Sequence, residues 1–190
     1  MFRLSRELIL RSPQYMNACG EYEIDLRGNK LTVIENLGIT ENQFDSVDLS
    51  DNEIVKLEGF PLLPRLKTIL LNNNRISRIA KNLEASIPNV ETLVLTGNKI
   101  SNVSVRASLF LFVLDLSGCT YFLSLSLFGL FFSSFRFAQD LENLKGLKKL
   151  KRLVLLENAV TKLPNYRLKI LELIPSLKEI DFNKAHKIRK

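Results

Sequence analysis

The chain has 190 residues, of which 46% are hydrophobic and 25% charged, a composition that excludes a disordered chain and fits one globular domain. Its net charge is +7, and the whole excess lies in residues 140–190, which carry 13 basic and 6 acidic side chains and are therefore a candidate for nucleic-acid contact. The two cysteines, Cys19 and Cys119, are far apart and predict neither a disulfide framework nor a zinc site.

The first eleven residues are predicted to form a short amphipathic helix. Leu4, Leu8 and Ile9 fall on one helical face, and charged residues at positions 3, 6, 7 and 11 break any long apolar stretch. Because a secretory signal peptide needs an uninterrupted apolar stretch, the sequence favours a helix at the start of the domain.

From residue 22 onward the sequence repeats the pattern L-x-L-x-x-N-x-L. The alternating apolar pair of each unit lies on one face of a short strand, and parallel stacking of the strands would bury these pairs in one continuous core. The asparagine is suited to hydrogen-bond backbone groups in the turn that leaves the strand. The pattern occurs at residues 24–31, 47–54, 69–76, 93–100 and 153–160, with a degenerate last unit at 177–183.

Units of this kind predict an α/β leucine-rich-repeat solenoid with a parallel concave sheet, an N-terminal helix and a C-terminal capping turn. We expect a single domain over residues 1–184, followed by a basic tail at 185–190. Within the domain the repeats would occupy about 22–102 and 140–163, and the cap 164–184.

The repeat is interrupted between residues 103 and 139. The asparagines at 29, 52, 74 and 98 are 22 to 24 residues apart, whereas the next, at 158, follows after 60. The interrupting segment holds eight of the chain's 12 phenylalanines and no lysine, so its composition differs as well.

Three interpretations of this segment are open. A transmembrane helix over 116–135 has sufficient length, but only about 12 of these 20 residues are apolar. An irregular repeat at 111–119 would place Cys119 at the asparagine position.

The third interpretation, translated intron, is the one that we favour. Phenylalanine, leucine and serine correspond to pyrimidine-rich codons, both ends of the segment match in-frame intron ends, and its removal restores a spacing of 23.

Loop and surface residues that the repeat does not dictate carry a resemblance to a known family. They include DLRGNK at 25–30, VIENLG at 33–38 and NYRL at 165–168. Over about 1–102 and 140–184 the chain resembles the A-prime proteins of the U2 small nuclear ribonucleoprotein. It departs from them in the insertion and in its short C-terminal end, which indicates a truncated tail.

The resemblance implies a non-enzymatic spliceosomal scaffold in the nucleus. Such a protein binds an RNA-recognition-motif protein of the B-double-prime type and helps it to hold a stem-loop of the U2 small nuclear RNA in pre-mRNA splicing. The family's concave sheet and N-terminal region hold that partner, so RNA would be bound mainly through the partner. No membrane, small-molecule substrate or cofactor is expected.

Strand positions that alternate with the core residues are predicted to face the concave surface and to bind the partner. The first two strands are acidic and the middle ones small and polar, which suits a helix carrying basic side chains. The predicted partner-binding residues are Glu23, Asp25, Arg27, Ser46, Asp48, Ser50, Thr68, Asn72, Thr92 and Thr96.

A cluster of basic residues in the last repeat is predicted to lie near RNA phosphates. Such contact would be independent of base sequence and sensitive to salt, and no aromatic residue is interleaved with these side chains, so RNA contact is expected to be auxiliary. The RNA-proximal residues are Lys145, Lys148, Lys149, Lys151 and Arg152.

The repeats alone fit an alternative function equally well, that of a generic leucine-rich-repeat adaptor such as a phosphatase regulatory subunit or a cilium-associated factor. Only the loop and surface residues that carry the resemblance separate the two. An enzyme is not expected, because His186 is the single histidine and the sequence lacks a nucleophile–base pair, a phosphate loop and a metal-binding cluster.

Overall fold

The computed structural model describes residues 4–101 and 139–189. The chain divides into two units, Met1–Ser101 with Asp140–Lys190, and Asn102–Gln139. The first unit holds the repeats. The segment considered above as a transmembrane helix, an irregular repeat or translated intron lies outside the described residues.

In the described residues, eight short strands form one sheet in the order β1-β2-β3-β5-β7-β8-β9-β10, and β4 and β6 form a second, two-stranded sheet. Neighbours from β2 to β9 are parallel, whereas β1 and β10 pair antiparallel at the two ends of the sheet. The strands are β1 (Gln14–Met16), β2 (Tyr22–Asp25), β3 (Ser46–Asp48), β4 (Lys56–Leu57), β5 (Thr68–Leu70), β6 (Arg78–Ile79), β7 (Thr92–Val94), β8 (Arg152–Val154), β9 (Glu179–Ile180) and β10 (Asn183–Lys184).

Short helices close the coils behind the sheet. The α-helices are α1 (Arg6–Arg11), α2 (Leu83–Ser86), α3 (Gln139–Glu142), α4 (Tyr166–Leu173) and α5 (Ala185–Ile188). The 3₁₀ helices are Leu37–Thr40, Asn143–Gly146 and Ala159–Lys162. Within the described ranges no helix is long and apolar enough to cross a membrane.

The core follows the repeat, as the sequence predicted. The alternating pairs of the five units point into the core, away from the concave face, and none of their side chains is more than 2% exposed. They are Ile24, Leu26, Val47, Leu49, Ile69, Leu71, Leu93, Leu95, Leu153 and Leu155. Their burial in one column supplies the main stabilisation of a solenoid, in which each repeat packs on its neighbours. The predicted leucine-rich-repeat fold is confirmed.

The repeat asparagines form a buried ladder that ties each coil to the one before it. The Asn98 side-chain nitrogen donates to the carbonyls of Leu71, Leu95 and Thr96 at 2.8, 3.0 and 3.2 Å, and its oxygen accepts from the Ile76 amide at 2.9 Å. Asn52, Asn74 and Asn158 make the same four bonds in their own coils. Each asparagine therefore satisfies buried backbone groups in two successive coils.

The ladder continues directly from the fourth repeat to the fifth. Strands β7 and β8 pair in parallel, with Thr92 opposite Arg152. The Asn158 side chain donates to the Leu95 carbonyl at 2.7 Å and accepts from the Ile100 amide at 3.0 Å, although 58 residues separate Ile100 from Asn158. Strands β7 and β8 are therefore direct neighbours in the sheet.

The N-terminal helix is confirmed, and a strand that the sequence did not predict follows it. Ser5 accepts a hydrogen bond from the Leu8 amide and so caps α1, while Leu4 and Ile9 are 1% and 2% exposed. After α1 the chain turns back as β1 and pairs with β2. The first repeat strand is therefore covered at its outer edge, as edge strands in native proteins commonly are.

At the other end the cap reaches beyond residue 184. The Asp181 carboxylate accepts hydrogen bonds from the Leu155 amide at 2.7 Å, from Arg167 Nε at 3.1 Å and from the Tyr166 hydroxyl. Burial and this bond raise the pKa of Tyr166 to about 12. Residues 185–188, expected in a basic tail, instead form α5, because Ala185 is buried and its amide donates to the Lys178 carbonyl at 2.8 Å.

Loss of one ladder asparagine should destabilise the whole domain. Asn98→Ala removes the side-chain acceptor of the buried Ile76 amide and the shorter of the two hydrogen bonds to the Leu71 carbonyl. We therefore expect the free energy of unfolding in urea to fall by about 3 kcal/mol. Asn29→Ala is the matched control, because Asn29 has no preceding repeat and donates only locally, to the Arg27 carbonyl at 3.0 Å. That variant should lose less than about 0.5 kcal/mol. Equal losses in the two variants would contradict the ladder.

Candidate partner-binding surface

The concave face of the sheet presents its side chains in three rows. The first row comprises Tyr15, Glu23, Ser46, Thr68, Thr92, Arg152, Glu179 and Lys184. The second row comprises Asp25, Asp48, Leu70, Val94 and Val154. The third row lies just beyond the ends of the strands and comprises Arg27, Ser50, Asn72, Thr96 and Leu156. Alternation along each strand puts these residues on the face opposite to the core.

Four of the ten predicted partner-binding residues are buried. Ser46 is 0%, Glu23 5%, Ser50 5% and Asp48 6% exposed. The other six, Asp25, Arg27, Thr68, Asn72, Thr92 and Thr96, are partly or fully accessible. The prediction of an acidic cradle is corrected in one respect, because Glu23 and Asp48 are buried and are already paired within the chain.

Glu23 is occupied by the strand that the sequence missed. Its carboxylate accepts hydrogen bonds from the Tyr15 hydroxyl at 2.9 Å, from Asn17 Nδ2 at 2.9 Å and from Ser46 Oγ at 2.8 Å. Tyr15 lies on β1 and Asn17 in the turn that follows it. The bond to Glu23 raises the pKa of the Tyr15 hydroxyl. Glu23 thus fixes the N-terminal hairpin rather than offering a free charge to a partner.

The other two predicted acids form an ion cluster with Arg27. The guanidinium donates to both carboxylate oxygens of Asp25, at 3.0 Å from Nε and 2.5 Å from Nη2, and its Nε lies 3.4 Å from an oxygen of Asp48. The bond from Arg27 lowers the pKa of Asp25, whereas burial raises the pKa of Asp48. Two carboxylates and one guanidinium give this cluster a net charge of −1.

An apolar strip lies next to this cluster in the second row. Leu70 and Val94 are half-buried on adjacent strands, and Val154 on the next strand continues the row but is itself buried, at 6% exposure. Threonines from the first and third rows, Thr92 and Thr96, flank the strip. The predicted set omitted these aliphatic residues although the repeat register identifies them, since it was chosen for polarity and charge.

The predicted RNA-proximal residues do not all remain free. Lys145, Lys148, Lys149 and Arg152 are exposed, but the Lys151 ammonium lies 2.7 Å from a Glu91 carboxylate oxygen. This pair lowers the pKa of Glu91 and joins the repeats on either side of the insertion. Lys67 and Asp45 make a similar contact at 3.3 Å two repeats earlier. Lys151 therefore belongs to a column of alternating charge at the edge of the solenoid.

Comparison with known proteins places the chain in a family. Residues 1–114 match the leucine-rich-repeat family. The chain is 43% identical to the U2 small nuclear ribonucleoprotein A' of Arabidopsis thaliana and 40% identical to that of Homo sapiens, in each case over 97% of this chain. In structure it matches a chain of the Drosophila melanogaster SNF/U2A' complex with a TM-score of 0.77 and 42% identity, over 100% of this chain and 89% of that one. The chain belongs to the U2 small nuclear ribonucleoprotein A' family of leucine-rich-repeat proteins.

This membership confirms the resemblance on which the functional prediction rests. The chain spans 60% and 59% of the lengths of the Arabidopsis and human A' proteins. Among the residues that the structure describes, no group of three or more histidine, cysteine, aspartate or glutamate side chains is arranged to hold a metal ion.

The ion cluster leads to a pH-dependent prediction. Arg27→Met should raise the pKa of Asp25 towards its ordinary value and that of Asp48 further, both measured by carboxyl NMR titration. Because Arg27 stabilises the ionised acids, the variant's loss of stability should be present at pH 7 and shrink as the pH falls below about 4. Arg78→Met, at an exposed position on β6, is the control for loss of one positive charge. An unchanged pKa of Asp25 would contradict the cluster.

Proposed function

We propose that the chain is a non-enzymatic spliceosomal scaffold whose concave surface binds an RNA-recognition-motif protein of the B-double-prime type in the nucleus. The observation that carries the proposal is the aliphatic strip of Leu70 and Val94, continued by the buried Val154, on a concave face whose other accessible side chains are mostly polar. Apolar centres surrounded by polar groups are the usual anatomy of specific protein interfaces. The structural match within the SNF/U2A' complex supports the proposal, since there a relative is assembled with a second protein.

The charges of the concave face favour an amphipathic helix with basic side chains as the bound element. The cluster of Asp25, Arg27 and Asp48 keeps a net negative charge beside the strip, and Arg27 is 51% exposed in its side chain. A cation of the partner would meet the acids at one end, while apolar side chains of the same helix would cover the strip.

RNA is proposed to be held mainly through the partner. Lys145, Lys148, Lys149 and Arg152 are exposed near the end of the solenoid and are suited to phosphate contacts. Lys151 is not counted among them, because Glu91 already neutralises it. The RNA contacted would be the U2 small nuclear RNA that the family implies. The relatives do not favour the alternative of a generic adaptor, since they are A' proteins of this ribonucleoprotein.

Residues 103–139 are proposed to lie outside the working solenoid. The Ile100–Asn158 hydrogen bond and the Glu91–Lys151 ion pair join the flanking repeats as direct neighbours. Without the segment, Asn98 and the buried Leu144 are nine residues apart, as are Asn74 and Leu83 in the preceding repeat.

Deletion of residues 103–139 should therefore leave a folded domain. We expect the shortened chain to keep the far-ultraviolet circular dichroism of the repeats and a cooperative thermal transition no lower than that of the full chain, because the ladder is unchanged. It should also bind the same partner with the same affinity. A shortened chain that fails to fold while the full chain folds would contradict the proposal.

A charge introduced into the aliphatic strip should strongly weaken partner binding. Val94→Asp would bury a carboxylate in the interface, so we expect a loss of about 3 kcal/mol, on the order of 100-fold in Kd, measured by calorimetric titration with the RNA-recognition-motif protein.

Leu62→Asp is the matched control for this variant, since Leu62 is 66% exposed in the segment that returns from β4 to β5, away from the concave face. It should bind the partner like the unmodified chain. Undiminished binding by a folded Val94→Asp variant would refute the concave interface.

A further inference from the structure

Phe182 occupies an unusual place in the C-terminal cap. Its side chain is 72% exposed, more than any other large hydrophobic residue that the structure describes. Its backbone has a φ of +62°, and that of the preceding Asp181 is +45°. Both values lie in the left-handed region, which bulky residues rarely adopt because it is strained. Neither burial nor backbone preference accounts for a phenylalanine at this position.

The turn that carries Phe182 is firmly anchored. The Asp181 side chain is fully buried and is held by the Leu155 amide, Arg167 and the Tyr166 hydroxyl. Asn183 donates to the Asp181 carbonyl at 2.9 Å, and β10 then pairs with β9. The ring therefore projects from a fixed base, so little conformational entropy would be lost when a ligand stacks on it.

Within residues 177–189 every exposed charged side chain is basic, and the nearest exposed acid along the chain is Glu172 on α4. Lys178, Lys184, Lys187 and Arg189 are exposed, as is His186, whereas Glu179 is half-buried and Asp181 is buried and paired. A protruding aromatic ring beside several cations is the combination by which proteins hold single-stranded nucleic acid, through base stacking and phosphate contacts. An apolar protein partner would gain nothing from this density of positive charge.

We propose that Phe182 is a stacking platform for an unpaired RNA base, with Lys178, Lys184 and Lys187 contacting the adjoining phosphates. The basic cluster of the last repeat contains no aromatic residue, whereas the cap holds an exposed one. The inference rests on the proposed role of the chain in holding RNA, and it adds a contact that the chain makes itself.

The test measures binding of a fluorescent ten-nucleotide single-stranded RNA to the full chain without partner, at low salt. Phe182→Asn should weaken binding about tenfold, as expected for the loss of one stacked base. Phe182→Tyr, which keeps the ring, should bind within about twofold of the unmodified chain. Leu10→Asn is the control for loss of an exposed hydrophobic residue, since Leu10 is 65% exposed on α1, and it should have no effect.

The thermal stability of Phe182→Asn is expected to rise although its RNA binding falls. Asparagine tolerates the left-handed conformation, so Phe182→Asn should raise the thermal midpoint by about 2 °C while RNA binding falls. This combination separates loss of stacking from loss of fold. Lys184→Gln should reduce the dependence of log Kd on log salt by about one unit.

Undiminished RNA binding by Phe182→Asn would overturn the inference. If Phe182→Asn instead lost binding to the RNA-recognition-motif protein and kept its RNA binding, the inference would also be overturned, and Phe182 would be assigned to a protein contact. Because RNA is measured without the partner, failure here is distinguishable from failure of the concave interface, which Val94→Asp tests.

Discussion

The buried asparagine of each repeat is the interaction on which the rest of the structure depends. A solenoid must turn its backbone at the end of every strand, and the polar groups of that turn are buried against the previous coil. One amide side chain provides both the donors and the acceptor that those groups require, as the four bonds of Asn98 illustrate. Because the partners belong to two coils, the asparagine also fixes the register between them, and therefore which side chains reach the concave face.

That register determines the character of the binding surface. It aligns Leu70, Val94 and Val154 as an apolar strip beside the acids of the first two repeats, and it brings Glu91 against Lys151 across a break of 60 residues in the sequence. At the two ends of the solenoid, groups outside the repeat pattern pair with the exposed backbone. Hairpin strand β1 covers the first repeat, and the Asp181 carboxylate binds the Leu155 amide in the last. The two ends thereby acquire features that the repeat itself does not have.

The repeat made most of the fold predictable, because a pattern that recurs five times fixes strand, core face and turn together. The N-terminal helix was equally accessible from its apolar spacing. Strand β1 was not, since Gln14–Met16 has no alternating pattern and forms only by pairing with β2. For the same reason the burial of Glu23 was missed. Long-range ion pairs such as Arg27 with Asp48 also escape sequence reasoning, because side-chain direction and distance emerge only when coils stack. The exposure of Phe182 depends on a strained turn that no local sequence motif predicts.

Amide hydrogen exchange at Ile100 tests the central claim, that the ladder runs unbroken through the fourth and fifth repeats of the full chain. The Ile100 amide donates to Asn158, as those of Ile54 and Ile76 donate to Asn74 and Asn98. Protection of Ile100 within about tenfold of that of Ile54 and Ile76 is the predicted result. Exchange of Ile100 at the rate of an unprotected amide, with the other two protected, would show that the two repeats are not direct neighbours and would contradict the account.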